Sequence, residues 1–167
     1  MHYQMRENIT VKDNTEGEIL GVAGGNYRIL ISGEETNGNY AVIEMLVPPG
    51  GGPLPHSHPG TQELFFLIEG ELEFKTEAGK QIVNEGSFIN IPFEGDVHCF
   101  KNTSDKLAKL LCTVIPAGLE NVFRALGSAT EYRQFLPVAE NTPEHVTLIQ
   151  EVDKKYGLTT YTQDFLE

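Results

Sequence analysis

The sequence predicts an all-β fold, an antiparallel sandwich or barrel, followed by a short C-terminal helical extension. Short β-rich runs follow one another closely, and the 17 glycines and 9 prolines are spread between them as turn signals. After Pro116 the apolar residues change to helical spacing. The 167 residues provide room for one domain over 1–167, with a barrel core at about 20–116 and a helical tail at about 117–167.

The predicted strands are rich in β-branched and aromatic residues and are bounded by turn residues. They are Tyr27–Ile31, Tyr40–Val47, Leu64–Ile68, Glu71–Lys75, Ser87–Ile91, Val97–Lys101 and Leu107–Ile115. The segment Pro48–Pro55 (PPGGGPLP) cannot continue the interior of a strand, so it predicts a loop. We expect Glu69 and Gly70 to form a tight hairpin connection, in which glycine permits a positive φ.

Two helices are predicted after the last strand. The first has one apolar stripe with helical spacing, formed by Leu119, Val122, Phe123 and Leu126. The second begins with Thr142 as the N-cap and Pro143 in the first turn, and it ends before Gly157. Its apolar side consists of Val146, Ile149, Val152 and Tyr156. We expect both helices to pack on the barrel.

Charge and composition exclude several classes of partner. Lys and Arg number 12 against 24 for Asp and Glu, so the net charge is −12 and the pI about 4.8. Such an acidic chain lacks the excess of positive charge that binds nucleic acid, and it is repelled by anionic membranes. No apolar run has membrane-spanning length, and residues 1–14 lack the apolar core of a secretory signal. We therefore expect a soluble cytoplasmic protein with a small-molecule partner.

The two cysteines, Cys99 and Cys112, are too few for a disulfide framework, and the chain has no CxxC pair. We expect both to be free, buried thiols in a reducing compartment. Two of the five histidines, His2 and His145, are interpreted as ordinary residues, at a terminus and in the first turn of a helix.

The other three histidines and one glutamate form a candidate metal site. His56 and His58 are two residues apart, so their side chains point to the same face of an extended segment. Glu63 begins the next strand and can reach the same point if that strand folds back. His98 opens another apolar strand. Imidazole and carboxylate together suit Fe, Mn, Ni, Cu or Zn, whereas Ca and Mg prefer oxygen ligands.

The spacing around these residues resembles the first motif of the cupin superfamily. Five residues separate Gly50 from His56, four separate His58 from Glu63, and six separate Glu63 from Gly70. The family pattern is matched here without a gap.

The second cupin motif is also recognisable, with one departure. Five residues separate Gly86 from Pro92, two separate Gly95 from His98, and three separate His98 from Asn102. Two residues lie between Pro92 and Gly95, where the family usually has one. The departure changes the turn but keeps the spacing of His98 from its neighbours.

The resemblance implies a small antiparallel β-barrel of jelly-roll type that holds a divalent transition metal inside. It implies His56, His58, Glu63 and His98 as the metal ligands. Four protein ligands leave one or two open positions on a five- or six-coordinate ion. Members of the family often form dimers, so a homodimer is expected.

Alternation along the strands predicts which side chains line the interior. If Glu63 and His98 point inward, so do Phe65, Leu67 and Phe100, while Cys99 points away from the metal. The outward residues Leu64, Phe66 and Ile68 must be covered by the second sheet, the C-terminal helices or another subunit. On the strand 40–47 the sequence does not decide between the face of Tyr40, Val42 and Glu44 and that of Ala41, Ile43 and Met45.

Three functions are compatible with this pattern. Small single-domain cupins with this ligand set resemble quercetinase-like (flavonol dioxygenase-like) proteins, which implies an oxidoreductase acting on a small phenolic or dicarbonyl molecule. In that reading Glu63 is a ligand and, if it detaches, a catalytic base. A redox-neutral metal-dependent isomerase, decarboxylase or hydrolase is the second possibility, and a non-catalytic cupin that binds a small molecule is the third.

Overall fold

A computed structural model describes residues 9–167, so the interpretation of His2 lies outside the described residues. Within this range the chain forms twelve strands and two helices. The strands are β1 (Glu18–Val22), β2 (Gly25–Ile31), β3 (Ala41–Val47), β4 (His56–Ser57), β5 (Gln62–Glu69), β6 (Glu71–Thr76), β7 (Gly79–Asn84), β8 (Phe88–Ile91), β9 (His98–Lys101), β10 (Ala108–Ile115), β11 (Ser128–Ala129) and β12 (Thr159–Thr160). The helices are α1 (Leu119–Leu126) and α2 (Pro143–Tyr156).

The strands form two sheets that face each other. The larger sheet has the order β11-β1-β2-β3-β10-β5-β8, and the smaller has the order β12-β4-β9-β6-β7. Every hydrogen-bonded pair in both sheets is antiparallel. The predicted cupin-type antiparallel barrel is therefore confirmed. The hairpin predicted at Glu69 and Gly70 is wrong, because β5 and β6 belong to different sheets and these two residues connect one sheet to the other. The short strand β4 lies beside β9, and this pairing matters for the site.

The barrel is held together by the apolar residues on the inner faces of the sheets. Ile43 of β3, Phe65 and Leu67 of β5, Leu110 of β10 and Phe100 of β9 are all buried in one cluster. The prediction that Phe65, Leu67 and Phe100 point inward is confirmed. Burying a side chain of this size contributes about 1.5–3 kcal/mol, so these positions dominate the stability of the barrel.

The structure settles the open question on β3. Ala41, Ile43 and Met45 are buried in the barrel interior, so Val42 and Glu44 lie on the outer face. Glu44 is nevertheless buried, because it pairs there with cations of the neighbouring strands. Burial at a single position is therefore a poor guide to which side of this strand faces the core.

The predicted C-terminal helices are confirmed, and α2 begins and ends where the sequence placed it. The Thr142 hydroxyl accepts a hydrogen bond of 3.2 Å from the backbone N–H of His145, and Gly157 ends α2 with a left-handed φ of 72°. The tail also contributes β11 to the edge of one sheet and β12 to the edge of the other. It is thus joined to both sheets by backbone hydrogen bonds. Neither helix in the described part of the chain is long and apolar enough to cross a membrane.

The outer face of β5 is partly exposed to solvent in the structure. Phe66 is 46% exposed and Ile68 40% exposed, and the sequence had predicted a cover by the second sheet, the C-terminal helices or another subunit. Neither the second sheet nor the helices of the extension cover these two side chains. Of the three predicted covers for this face, another subunit is left, and the structure of one chain does not test it.

Candidate metal centre

The loop between β3 and β4 positions the first two histidines. The backbone of Gly50 and Gly51 exchanges two hydrogen bonds with Asn102, of 2.8 and 2.9 Å, directly after β9. A Cβ atom on Gly52 would lie 2.1 Å from the carbonyl oxygen of Phe100, so only glycine permits this close approach. The loop therefore runs against the end of β9. In this arrangement His56 pairs directly with His98 across the two strands.

A tight turn then directs the chain from β4 to β5. The backbone N–H of Thr61 donates to the carbonyl oxygen of His58 at 3.0 Å, with Pro59 and Gly60 between them. Proline fixes φ for the first central position of such a turn. The turn brings Glu63 back beside His58, as the sequence predicted for a strand that folds back.

The four predicted residues come together in the barrel interior. One ligand atom from each of His56, His58, Glu63 and His98 lies within 4.8 Å of the others, and the group could hold a metal ion. The centroids of the imidazole rings are 4.6 to 5.6 Å apart. His58, Glu63 and His98 are buried, whereas His56 is half-buried and marks the side nearest to solvent.

The three imidazoles are oriented in the same way by the backbone. In each ring Nδ1 lies at hydrogen-bond distance from a carbonyl oxygen, which can only accept, so Nδ1 carries a proton. The pairs are His56 with Leu54 at 2.9 Å, His58 with Thr61 at 3.0 Å and His98 with Asp96 at 2.9 Å. Each Nε2 is thereby left to face the centre of the cluster. Such outer hydrogen bonds are typical of histidines that bind a metal.

The carboxylate of Glu63 divides its two oxygens between different partners. Oε2 lies 3.0 Å from Nε2 of His58 and 3.5 Å from Nε2 of His98. Oε1 accepts a hydrogen bond of 3.2 Å from the thiol of Cys112 on β10. The sequence predicted Cys112 as a buried free thiol, which is confirmed, but its contact with Glu63 was missed. Residue spacing contains no signal for this contact, because it arises from the pairing of β10 with β5.

The donor set fits a divalent transition metal. Nε2 of His98 is buried and has no hydrogen-bond partner among the described residues. A buried nitrogen without a partner is costly unless something else engages its lone pair. Three imidazole nitrogens and a carboxylate oxygen converge here, and this combination suits Fe, Mn, Ni, Cu or Zn.

The site electrostatics favour a neutral His56 and an ion pair between His58 and Glu63 in the metal-free protein. Burial, together with the neighbouring His98, lowers the pKa of His56 to about 4. Burial also works against the charged form of His58, but the hydrogen bond and charge of Glu63 outweigh it and raise the pKa of His58. Burial opposes the charge of Glu63 as well, yet its contacts with His58 and His98 lower its pKa.

Aromatic side chains lie inside the barrel, and one of them contacts the polar cluster. Phe74 of β6 stacks on His98 with the ring centroids 6.2 Å apart, and Phe65 meets Phe100 edge-to-face at 5.7 Å. Phe74 also lines a cleft of about 300 Å³ at the open edge between β7 and β8, together with Phe88 and Ile89. Cys99 points away from the cluster, as predicted, and packs with Val97 and Leu166.

Fold and site together define a jelly-roll β-barrel with a candidate metal centre inside it. Residues 43–114 match the family model of the cupin domain. The chain therefore contains a cupin domain and resembles quercetinase. It is 27% identical to quercetin 2,3-dioxygenase of Bacillus subtilis over 121 residues, which cover 72% of this chain but 35% of the relative. The chain thus spans about a third of the length of that protein.

Solved structures support the fold. The polyketide cyclase RemF from Streptomyces resistomycificus superposes with a TM-score of 0.59 at 17% identity, covering 84% of this chain and 99% of RemF. A predicted oxalate decarboxylase from Thermotoga maritima superposes with a TM-score of 0.56 at 22% identity, covering 65% and 99% of the two chains. At these identities the likeness concerns the barrel alone and does not identify a reaction.

Proposed function

We propose that this chain is a metal-dependent, dioxygenase-like oxidoreductase acting on a small phenolic or dicarbonyl molecule. The observation that carries the proposal is the convergence of His56, His58, Glu63 and His98, whose ligand atoms lie within 4.8 Å of one another in an otherwise apolar barrel. The similarity to quercetin 2,3-dioxygenase supports it. We take residues 1–167 as one cupin domain with its helical tail.

The four side chains would act as the ligands of one divalent ion, which is Fe, Mn, Ni, Cu or Zn. When bound, such an ion supplies Lewis acidity and, if it is redox-active, a path for electrons. The protein fixes the ligands beforehand, because each imidazole is already held through Nδ1 by a backbone carbonyl. Little side-chain entropy then opposes binding of the ion.

Glu63 is the proposed catalytic base. Its Oε2 faces the histidines as a metal ligand, and if Glu63 detaches from the ion, this oxygen can take the proton of a substrate hydroxyl or enol. Phe65 and Phe100 are buried two residues along β5 and β9 from Glu63 and His98, and they make the interior of the barrel apolar. His56 is half-buried, so the substrate would approach from its side of the site. A small, partly apolar substrate with an oxygen that can bind metal matches these surroundings.

Metal content and oxygen consumption test the proposal together. Freshly purified protein should contain close to one equivalent of a transition metal by elemental analysis, and His58→Ala should lose it while keeping its circular dichroism spectrum. The metal-loaded protein should consume oxygen with quercetin or with members of a panel of phenols and 1,3-diketones. Metal-loaded protein that gives flat oxygen-electrode traces across the whole panel would overturn the oxidoreductase proposal.

The same experiment separates the alternatives. Turnover that survives strict anaerobiosis and replacement of the metal by Zn identifies a redox-neutral isomerase, decarboxylase or hydrolase. Saturable binding of a panel member without turnover, in protein with a full metal complement, identifies a non-catalytic binding cupin. Each outcome needs the metal centre, so the absence of bound metal contradicts all three.

A homodimer and a cytoplasmic location stay predictions. The exposed side chains of Phe66, Ile68 and Phe88 on the outer face of β5 and β8 support association with a second copy. Sedimentation velocity measures the oligomeric state directly, and Phe66→Ser should shift a dimer towards monomer.

A further inference from the structure

We propose that Cys112 is a positioning residue of the metal centre. Its thiol holds Oε1 of Glu63 and thereby reserves Oε2 for the metal. The inference rests on the metal site of the proposed function, and it adds a role for a residue outside the ligand set.

Strand pairing places Cys112 inside the barrel. On β10 it lies between Leu110 and Val114, and all three residues face the core. In the antiparallel register Val114 is opposite Glu63, and Cys112 is opposite Phe65. The side chain of Cys112 is completely buried, so water does not compete for the thiol.

The contact itself is directional. Sγ of Cys112 lies 3.2 Å from Oε1 of Glu63, while Oε2 is directed towards His58 and His98. An ionised carboxylate only accepts hydrogen bonds, so the thiol is the donor. One oxygen is therefore engaged from the wall of the barrel, and the other is presented to the imidazoles.

Loss of the donor has two physical consequences. The terminal torsion of a glutamate side chain is broad, so the carboxylate of Glu63 would rotate more freely. Oε1 would also be left buried without its thiol partner, which is costly for a charged group. Both consequences reduce the fraction of time in which Oε2 faces the metal. Outer partners of ligating carboxylates typically change metal affinity 10- to 100-fold.

The chain provides a matched control in its other cysteine. Cys99 is adjacent in sequence to His98 and is also buried, but it packs with Val97 and Leu166 on the opposite face of β9. Substitution at Cys99 therefore tests the loss of a buried thiol close to a ligand without removing a contact to Glu63.

Titration of the metal-free protein with Co²⁺, followed by visible absorption and calorimetry, tests the inference. Cys112→Ala should bind Co²⁺ about 10- to 100-fold more weakly than the wild type and shift its d–d absorption bands. Cys112→Ser keeps a donor and should restore most of the affinity and the original bands. Cys112→Val fills the volume without donating, so it should behave like the alanine variant. Cys99→Ala should match the wild type in both readouts.

The outcomes discriminate between the two proposals. Wild-type protein that binds no Co²⁺ contradicts the metal site itself. Wild-type binding with unchanged affinity and spectrum in Cys112→Ala overturns only the positioning role, as does a serine variant no better than valine. If the alanine variant does not fold, as judged by thermal unfolding of the metal-free protein, the comparison of serine with valine decides the question.

Discussion

Two glutamates on the larger sheet are buried almost equally, yet their surroundings suit opposite purposes. Glu63 on β5 faces the barrel interior and is 2% exposed, and Glu44 on β3 faces outward and is 7% exposed. Glu44 lies 3.3 Å from Nε of Arg28 and 3.1 Å from Nζ of Lys109. Glu63 has two imidazoles and a thiol instead.

The difference lies in the chemistry of the partners. Arginine and lysine stay charged at neutral pH, and although burial opposes the charge of Glu44, Lys109 and Arg28 outweigh it and lower its pKa. The negative charge of Glu44 is thus balanced by two side chains that stay positive at neutral pH. Imidazoles can give up their protons near neutral pH and then offer lone pairs. A buried carboxylate among histidines is therefore available to a metal ion, whereas one between fixed cations is a structural ion pair.

The largest effect is expected from removing a ligand. His98→Ala should lower the affinity for Co²⁺ or Mn²⁺ by more than the roughly 100-fold that an outer partner can cost, because a direct bond is lost. Lys109→Ala, which removes a cation from the Glu44 cluster, should leave the affinity unchanged. Elemental analysis after dialysis and calorimetry measure both variants. Equal metal content in His98→Ala and Lys109→Ala would contradict the assignment of His98 as a ligand.

The next largest effect is on stability and concerns Glu44. Glu44→Gln should lower the free energy of unfolding by about 3 kcal/mol, because it leaves Arg28 buried beside a neutral amide. Metal affinity should not change. Glu18→Gln is the matched control, since it removes a more exposed pair with Arg124 at 2.8 Å and should cost less than about 1 kcal/mol. Urea unfolding of the three proteins checks the order, and similar losses in both variants would contradict it.

Much of the barrel and the identity of the four clustered residues could be predicted from the sequence. The strands that alternate or run continuously apolar were found, as was α2 with its cap and its terminal glycine. Two of the longer strands, β1 and β7, were missed for physical reasons. In β7 only Val83 is buried, so its residues show no alternation, and β1 has a glycine in its interior. The strands β11 and β12 have two residues each, too few for a sequence pattern, and they are defined by their pairing with β1 and β4.

The residues that contact the metal ligands were harder to predict than the ligands themselves. The ligand spacing is local, and a motif therefore contains it. The contacts of Cys112 with Glu63 and of Phe74 with His98 join residues far apart in sequence, and strand register determines them. Alternation predicted which residues of β5 and β9 point inward, but it did not predict which of them touch. The ion pairs of Glu44 follow the same rule, because Arg28 and Lys109 come from the two strands that flank β3.

The smallest expected effect is a pH dependence that separates the two clusters in the metal-free protein. The contact with Glu63 raises the pKa of His58 above its ordinary 6.5, so this stabilisation is complete below pH 6.5 and is lost as the pH rises through the raised value. His56, whose pKa falls to about 4, makes the opposite contribution, but only below pH 6.5. The free energy of unfolding should therefore decline as the pH rises above about 6.5.

We call His56, His58, Glu63 and His98 the inner cluster, and Glu44, Arg28 and Lys109 the outer cluster. The decline of the free energy of unfolding should depend on the inner cluster alone. His58→Gln should remove it, whereas Glu44→Gln should keep the same slope at a lower overall stability, because Lys109 and Arg28 do not titrate in this range. Urea unfolding with a chelator present, repeated across the pH range, gives the slopes. A slope that persists in His58→Gln would show that the decline does not arise from a protonated His58 beside the carboxylate of Glu63. The inner cluster would then resemble the outer one in being insensitive to pH, and the contrast drawn between their partners would fail.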